Sequence, residues 1–356
     1  MNIYRLGLAC TLPLLAACND NNSPIKISSE TVSQQQLDTI VTNIEKRYPE
    51  ATQEQKQNAA DVVVRAIENL VFVEGGSFEM GDFGAPCEIP SRTVSRMDWS
   101  PDAECLSSPG SQMTGADHLH QVTLDAYSIA KFETRFIDME WMRQINGLPV
   151  AKENIQDGSI VKRNSERYQW LLENRKDHPA SAKTWQEAKD YCLWVGQISA
   201  IPFDLPTEAQ WEYAARSRGK KYYFATNTGY LQLSEGYYLD PETNYYIEYT
   251  EDEVNAPSFA EFRNVDTFPP NPLGIYGMTN QVREWVNDWY SSDYYQQSPE
   301  LNPQGPDSGS QKVLRDSSGT TMTFSRNYSV PVKKAYSPGT SFRCALQQTA
   351  PVHKSP

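Results

Sequence analysis

Leu37, Ile40, Val41 and Ile44 recur at the spacing of one helix face, and Ala59, Val62, Val63, Ala66, Ile67 and Leu70 repeat that pattern. Thr52 followed by Gln55 supplies a capping box for the second run, each side chain serving an orphan amide. Residues 34–70 are therefore expected to form a helical hairpin, a stalk or packing appendage. From Val71 the period changes. Phe72 to Gly81 alternates like a strand broken by a Gly-rich turn, and residues 120–129 read as another strand. Thr184-Trp185-Gln186-Glu187 opens a helix running through Trp194, and Thr207-Glu208-Ala209-Gln210 opens one running through Arg216. Residues 82–117 are a Pro-, Ser- and Asp-rich loop. There is no internal repeat.

The first residues follow a different logic. Arg5 precedes a short apolar stretch from Leu6 to Leu15, then Ala16, Ala17 and Cys18. That is the layout of a secretory signal over residues 1–17. Leu15-Ala16-Ala17-Cys18 resembles the bacterial lipobox, which implies that Cys18 is acylated. The chain would then be held on a membrane leaflet facing the periplasm. With Asn19 after the cysteine, the outer membrane is the expected location. Residues 18–33 are polar and Asn/Ser-rich, and read as a tether. No apolar run reaches the ~18 residues a spanning helix needs.

Apolar residues make up 39% and charged residues 22% of the 356, so a sizeable core is available. The net charge of −13 repels phosphate, and nucleic acid is not an expected partner. Residues 235–261 hold eight carboxylates, five tyrosines and no Lys or Arg. This acidic excursion, with Glu251, Asp252 and Glu253 at its densest point, reads as a solvated loop or as a surface for calcium or a basic partner. Setting aside Cys10 in the signal and Cys18, four cysteines remain: Cys87, Cys105, Cys192 and Cys344. An even count in an oxidising compartment reads as disulfides, and three pairings satisfy it.

Several ordered strings resemble the formylglycine-generating enzyme, or sulfatase-modifying factor, family. They are Phe72 to Gly81; His120 to Asp125 with Ile129 to Thr134; His178-Pro179 through Trp185 and Tyr191-Cys192 to Leu205–Arg216; Phe268 to Met278 with Glu284-Trp285 and Asp288-Trp289-Tyr290; Val313-Leu314-Arg315; and Ser341 to Ala345. They cover residues 71–349, leaving 350–356 as a tail. The resemblance implies an α+β, C-type-lectin-like fold with little regular secondary structure, here preceded by the helical hairpin. It also implies that Cys192 pairs with Cys344, leaving Cys87 for Cys105. Through the family's calcium loop it implies a calcium ligand in Glu284, helped by Asn280 and Gln281, although Arg283 stands where an apolar residue is usual.

The departures bear on function. Family oxidases hold copper(I) through two cysteines lying before the terminal Phe-Arg-Cys-Ala string, and soft thiolates suit that ion. Here the stretch from Arg315 to Phe342 contains no cysteine. Copper is therefore not expected, nor is formylglycine generation. A second branch of the superfamily holds iron through histidines. This chain has only His118, His120, His178 and His353, with no third ligand evident beside His118 and His120. The expected role is that of a non-catalytic, envelope-anchored accessory or binding protein, as for family members serving type VI secretion or toxin immunity. The alternative is a periplasmic redox enzyme built on a different metal site. Asp316, Ser317, Ser318 and Arg326, in the stretch facing the family's substrate groove, are the expected binding surface together with the acidic excursion.

Overall fold

Polar caps start most of the longer helices, and apolar faces bury them. The computed structural model describes residues 24–86, 104–105, 110–150, 161–227, 229, 237–239, 246–248, 264–279, 282–315, 322–332 and 340–352. Helix α1 (Gln34–Arg47) begins at Ser33, whose side chain accepts from the Gln36 amide, and α2 (Gln53–Glu68) begins at the Thr52–Gln55 capping box. Strands β1 (Leu70–Val73) and β2 (Gly76–Met80) follow, then β3 (Ala85–Pro86), β4 (Glu104–Cys105) and the short α3 (Gly110–Thr114). Next come β5 (His120–Leu124), β6 (Tyr127–Ala130), α4 (Phe136–Ile145), α5 (Glu166–Asn174) and α6 (Trp185–Ser199). The rest is β7 (Phe203–Asp204), α7 (Glu208–Ala215), β8 (Tyr237–Leu239), β9 (Tyr246–Glu248), β10 (Arg283–Trp289), β11 (Lys312–Arg315), β12 (Arg326–Ser329), β13 (Thr340–Phe342) and β14 (Ala345–Leu346).

Two four-stranded sheets organise the domain. One has the order β1-β6-β14-β7, the other β12-β11-β10-β13, in which only β10 and β13 run parallel. A first apolar core joins Ile40 and Ile44 of α1 and Val63 and Ile67 of α2 to Met139 of α4 and Val195 of α6. The hairpin is thus built into the domain and is not a stalk. A second core, with Tyr127, Ile129, Trp211, Val286, Val313 and Ala345, packs α7 and the sheets together. Cys192 of α6 is bonded to Cys344, between β13 and β14, 152 residues on. This is the pairing the resemblance implies, and it ties a helix of the first core to the crossing between the two sheets.

The structure differs from the sequence reading in two places. The strand expected over 120–129 is two strands: β5 pairs with β2, and β6 pairs with β1 and β14. The chain turns at Asp125–Ala126, where Gly75 lies so close that a Cβ there would meet the Leu124 carbonyl oxygen at 2.4 Å. The tether expected over 18–33 is also shorter than its composition suggests. Ile25 and Ile27 pack on the first core and Val32 is buried. Lys26 and Gln57 exchange two hydrogen bonds of 2.8 Å, and the Ser29 hydroxyl donates to Glu68 at 2.6 Å. Three apolar side chains in a polar stretch suffice to strap it down.

Candidate functional site

Helix α7 lies under the sheet edge formed by β11 and β12. Its Thr207 hydroxyl accepts from the Gln210 amide at 3.2 Å, and the Gln210 side chain accepts in return from the Thr207 amide at 3.0 Å. That cap fixes the first turn, so Glu208 and Glu212, one helical turn apart, point the same way. Glu208 receives Arg326 through Nε at 2.8 Å and Nη2 at 3.0 Å, and Arg315 through Nη1 at 2.9 Å. Glu212 receives Arg315 Nη2 at 3.0 Å and Arg216 Nη1 at 2.8 Å. All five side chains are buried. Burial alone would raise the Glu208 carboxyl, but Arg326 and Arg315 outweigh it and hold it below the usual carboxylate range. Arg315 also donates to the Thr323 carbonyl, just before β12.

This network forms the floor of the site. Asp288 accepts the Glu208 amide at 2.8 Å. Burial, helped by the Glu208 charge, pushes its carboxyl up to about 7. Lys312 Nζ lies 4.0 Å from the Trp185 ring centroid and 3.9 Å from that of Trp289, and donates to the Asn287 carbonyl at 2.7 Å. Burial lowers its amine to about 8.

Above the floor runs β12. It pairs with β11 from Lys312↔Ser329 to Arg315↔Arg326, and on its other side no strand lies among the described residues. Tyr328 stacks on Tyr290 at 4.1 Å between centroids. Tyr328, Val330 and Val332 are 44%, 47% and 65% exposed, an alternating apolar row continuing past the strand end. The segment is pinned rather than loose, because the Trp185 amide donates to the Pro331 carbonyl at 3.0 Å. Val332 is bridged to Thr184, so the edge that no strand among the described residues covers is that of β12 itself. Such an edge, with apolar side chains beside it, is suited to accept another extended chain.

Two expected site residues prove structural. Arg326 is 2% exposed. Besides Glu208 it serves the Thr114 and Ser291 carbonyls at 2.9 and 3.2 Å. Its charge is spent inside the fold, so it is not part of a binding surface. Glu284 accepts Arg343 Nε at 2.8 Å and Trp211 Nε1 at 3.0 Å on Oε2, and Arg343 Nη2 at 2.7 Å on Oε1. The cation seated on Glu284 is Arg343, 59 residues further along the chain. Calcium needs carboxylate oxygens carrying uncompensated charge. A guanidinium seated on both oxygens removes it, so Glu284 as placed does not fit a calcium ligand. Among the described residues, no three His, Cys, Asp or Glu side chains are grouped to hold a metal ion.

Other expectations fall elsewhere. The β3–β4 ladder sets Cys105 opposite Ala85, while Cys87 and its pairing lie outside the described residues. So do Cys18, Glu251, Asp252, Glu253, Asn280, Gln281, Asp316, Ser317 and Ser318. Sequence reasoning missed Tyr328, Val330, Val332, the Tyr290 stack and the Lys312 sandwich. The 328-330-332 alternation was the available signal.

A model of the sulfatase-modifying factor enzyme 1-like domain matches residues 52–347. The formylglycine-generating enzyme of Streptomyces coelicolor is 30% identical over 187 residues, 49% of this chain and 54% of that protein. The inactive C-alpha-formylglycine-generating enzyme 2 of Bos taurus is 26% identical over 125 residues, 34% of this chain and 36% of the relative. The chain spans about half the length of the curated formylglycine-generating enzymes it matches. Among solved structures, PvdO from Pseudomonas aeruginosa aligns over 78% of this chain and 93% of its own, at 22% identity and a TM-score of 0.49.

Proposed function

The chain belongs to the sulfatase-modifying factor enzyme 1-like family, and from that premise we propose that it is an envelope-held binding protein and not the family's oxidase. Its target is an extended segment of a partner protein in the periplasm. The observation that carries this reading is the edge of β12 on which no strand lies among the described residues, in a stretch from Arg315 to Phe342 that holds no cysteine. A hydroxyl cannot stand in for a thiolate toward copper(I), so the Ser and Thr residues there supply no equivalent ligand. The scaffold keeps its floor of buried ion pairs and presents backbone groups and apolar side chains instead. A relative that is itself named inactive accords with a family scaffold serving without that chemistry. In this reading Cys18 is acylated and the chain sits on the outer membrane, in an accessory role such as secretion or toxin immunity.

The test has two arms. Incubated with copper and a sulfatase-derived cysteine peptide, the purified chain leaves the cysteine unchanged by mass. A photoreactive residue at Val330, placed in cells, crosslinks a partner, and Ser329→Pro abolishes the crosslink without changing the melting temperature. Conversion of the peptide cysteine to its aldehyde overturns the proposal in favour of a redox enzyme. A crosslink indifferent to the proline moves the partner off this edge.

A further inference from the structure

Helix α5 carries an exposed tryptophan among cations. Trp170 is 39% exposed, with the Arg167 guanidinium carbon 4.2 Å and that of Arg175 5.6 Å from its ring centroid. Lys162 and Lys176 lie exposed before and after the helix. None of these four cations forms an ion pair among the described residues. Asp177, the acid adjacent to Lys176, is instead held by Arg135 at 3.2 Å. The buried arginines 216, 315, 326 and 343 all have carboxylate partners. Glu166 and Glu173 stand four residues before and three after Trp170, on its own side of α5, yet residues 162–176 carry five Lys or Arg against these two Glu in a chain of net charge −13.

We propose that this face of α5 binds the phosphate-bearing headgroups of an anionic lipid surface. A guanidinium stacked on an indole keeps its in-plane donors free, and that fork matches a phosphate. A partly exposed indole suits the boundary between headgroups and acyl chains. The proposal rests on the envelope reading, which puts a leaflet within reach. A chain of contacts links the strapped N-terminal segment to the element beside the patch. Ser29 is held on Glu68, one turn from Arg65; Arg65 pairs with Asp138, Asp138 with Arg135, and Arg135 with Asp177 beside the patch.

The chain without its signal, residues 18–356 carrying Cys18→Ser so that neither the acyl group nor the apolar signal contributes, is sedimented with vesicles. One set is phosphatidylethanolamine with phosphatidylglycerol, the other phosphatidylcholine alone. Binding is expected only to the anionic set and is lost in high salt. Arg167→Gln with Arg175→Gln weakens it by about tenfold or more. Trp170→Ala weakens it as well, and the melting temperature stays unchanged in each variant. Equal binding to neutral vesicles, or variants that bind like the parent, overturns the proposal. So does capture of soluble glycerol phosphate or polyglutamate by a chain that ignores the vesicles, since each identifies a different ligand. Mass analysis of the wild-type chain from cells separates the two readings. An acylated Cys18 with no vesicle binding rejects the patch alone, whereas an unmodified Cys18 with vesicle binding rejects the anchor alone.

Discussion

Arg343 and Glu284 meet at two points with no exposure to solvent, Nη2 to Oε1 at 2.7 Å and Nε to Oε2 at 2.8 Å. The pair joins β10 to the turn after β13, and Arg343 goes on to the Tyr276 and Ala130 carbonyls at 2.8 and 3.1 Å. Removing Glu284 takes from the buried Arg343 its two closest carboxylate contacts, Glu133 lying further off at 3.6 Å. Glu284→Gln is expected to cost roughly 3–5 kcal/mol, read from urea unfolding. A chelator added to the parent chain leaves the unfolding midpoint where it was. A midpoint that fell on chelation would return Glu284 to the metal ligands.

Arg326 and Tyr328 lie two residues apart on β12 and should behave oppositely. Arg326→Met leaves Glu208 short of a partner and lowers stability by about 3 kcal/mol or more. Tyr328→Ala loses one exposed ring stack, about 1 kcal/mol, yet removes most of the partner crosslink. Comparable losses of stability in the two variants would refute the division between floor and edge.

The Cys192–Cys344 bond closes a separation of 152 residues. Replacing both cysteines with alanine is expected to destabilise the domain by about 2–5 kcal/mol. Unfolding of the parent with and without reductant should reproduce the difference.

Stability should depend on pH on both sides of neutrality. Asp288, raised to about 7, would titrate near ~3.9 in the unfolded chain. Between those values the folded state keeps a proton that the unfolded chain releases. This group's contribution is therefore full below pH ~4 and is lost as pH rises through about 7. Lys312, lowered to about 8, acts in the other direction. Its contribution is present above the unfolded value of ~10.4 and is lost as pH falls through about 8. Asp288→Asn should flatten the decline on the acid side, and Lys312→Met the rise on the alkaline side. A profile for Asp288→Asn that overlays the parent would remove this carboxyl as the cause.

Features written locally were legible in the sequence. Thr52–Gln55, Thr184–Glu187 and Thr207–Gln210 all form both halves of their capping boxes. The apolar spacing of residues 34–70 gave the hairpin to within two residues at its end. The ion pairs were not legible, because Arg315 and Glu208 are 107 positions apart and Arg343 and Glu284 are 59 apart. An arginine destined for burial looks the same in sequence as one destined for the surface, which is why Arg326 was misplaced. α4 and α5 also escaped notice. α4 has no side-chain cap hydrogen bond, and the single Ser165 cap of α5 lacks a reciprocal partner.

The Lys26–Gln57 exchange also governs how far the protein can roam. With Cys18 acylated as proposed, the six peptide steps from Cys18 to Pro24 span at most ~20 Å. The fold would then ride in a thin layer beside its leaflet and meet other membrane-bound molecules by lateral diffusion. Crowding two dilute molecules into such a layer raises their encounter rate without any gain in contact energy.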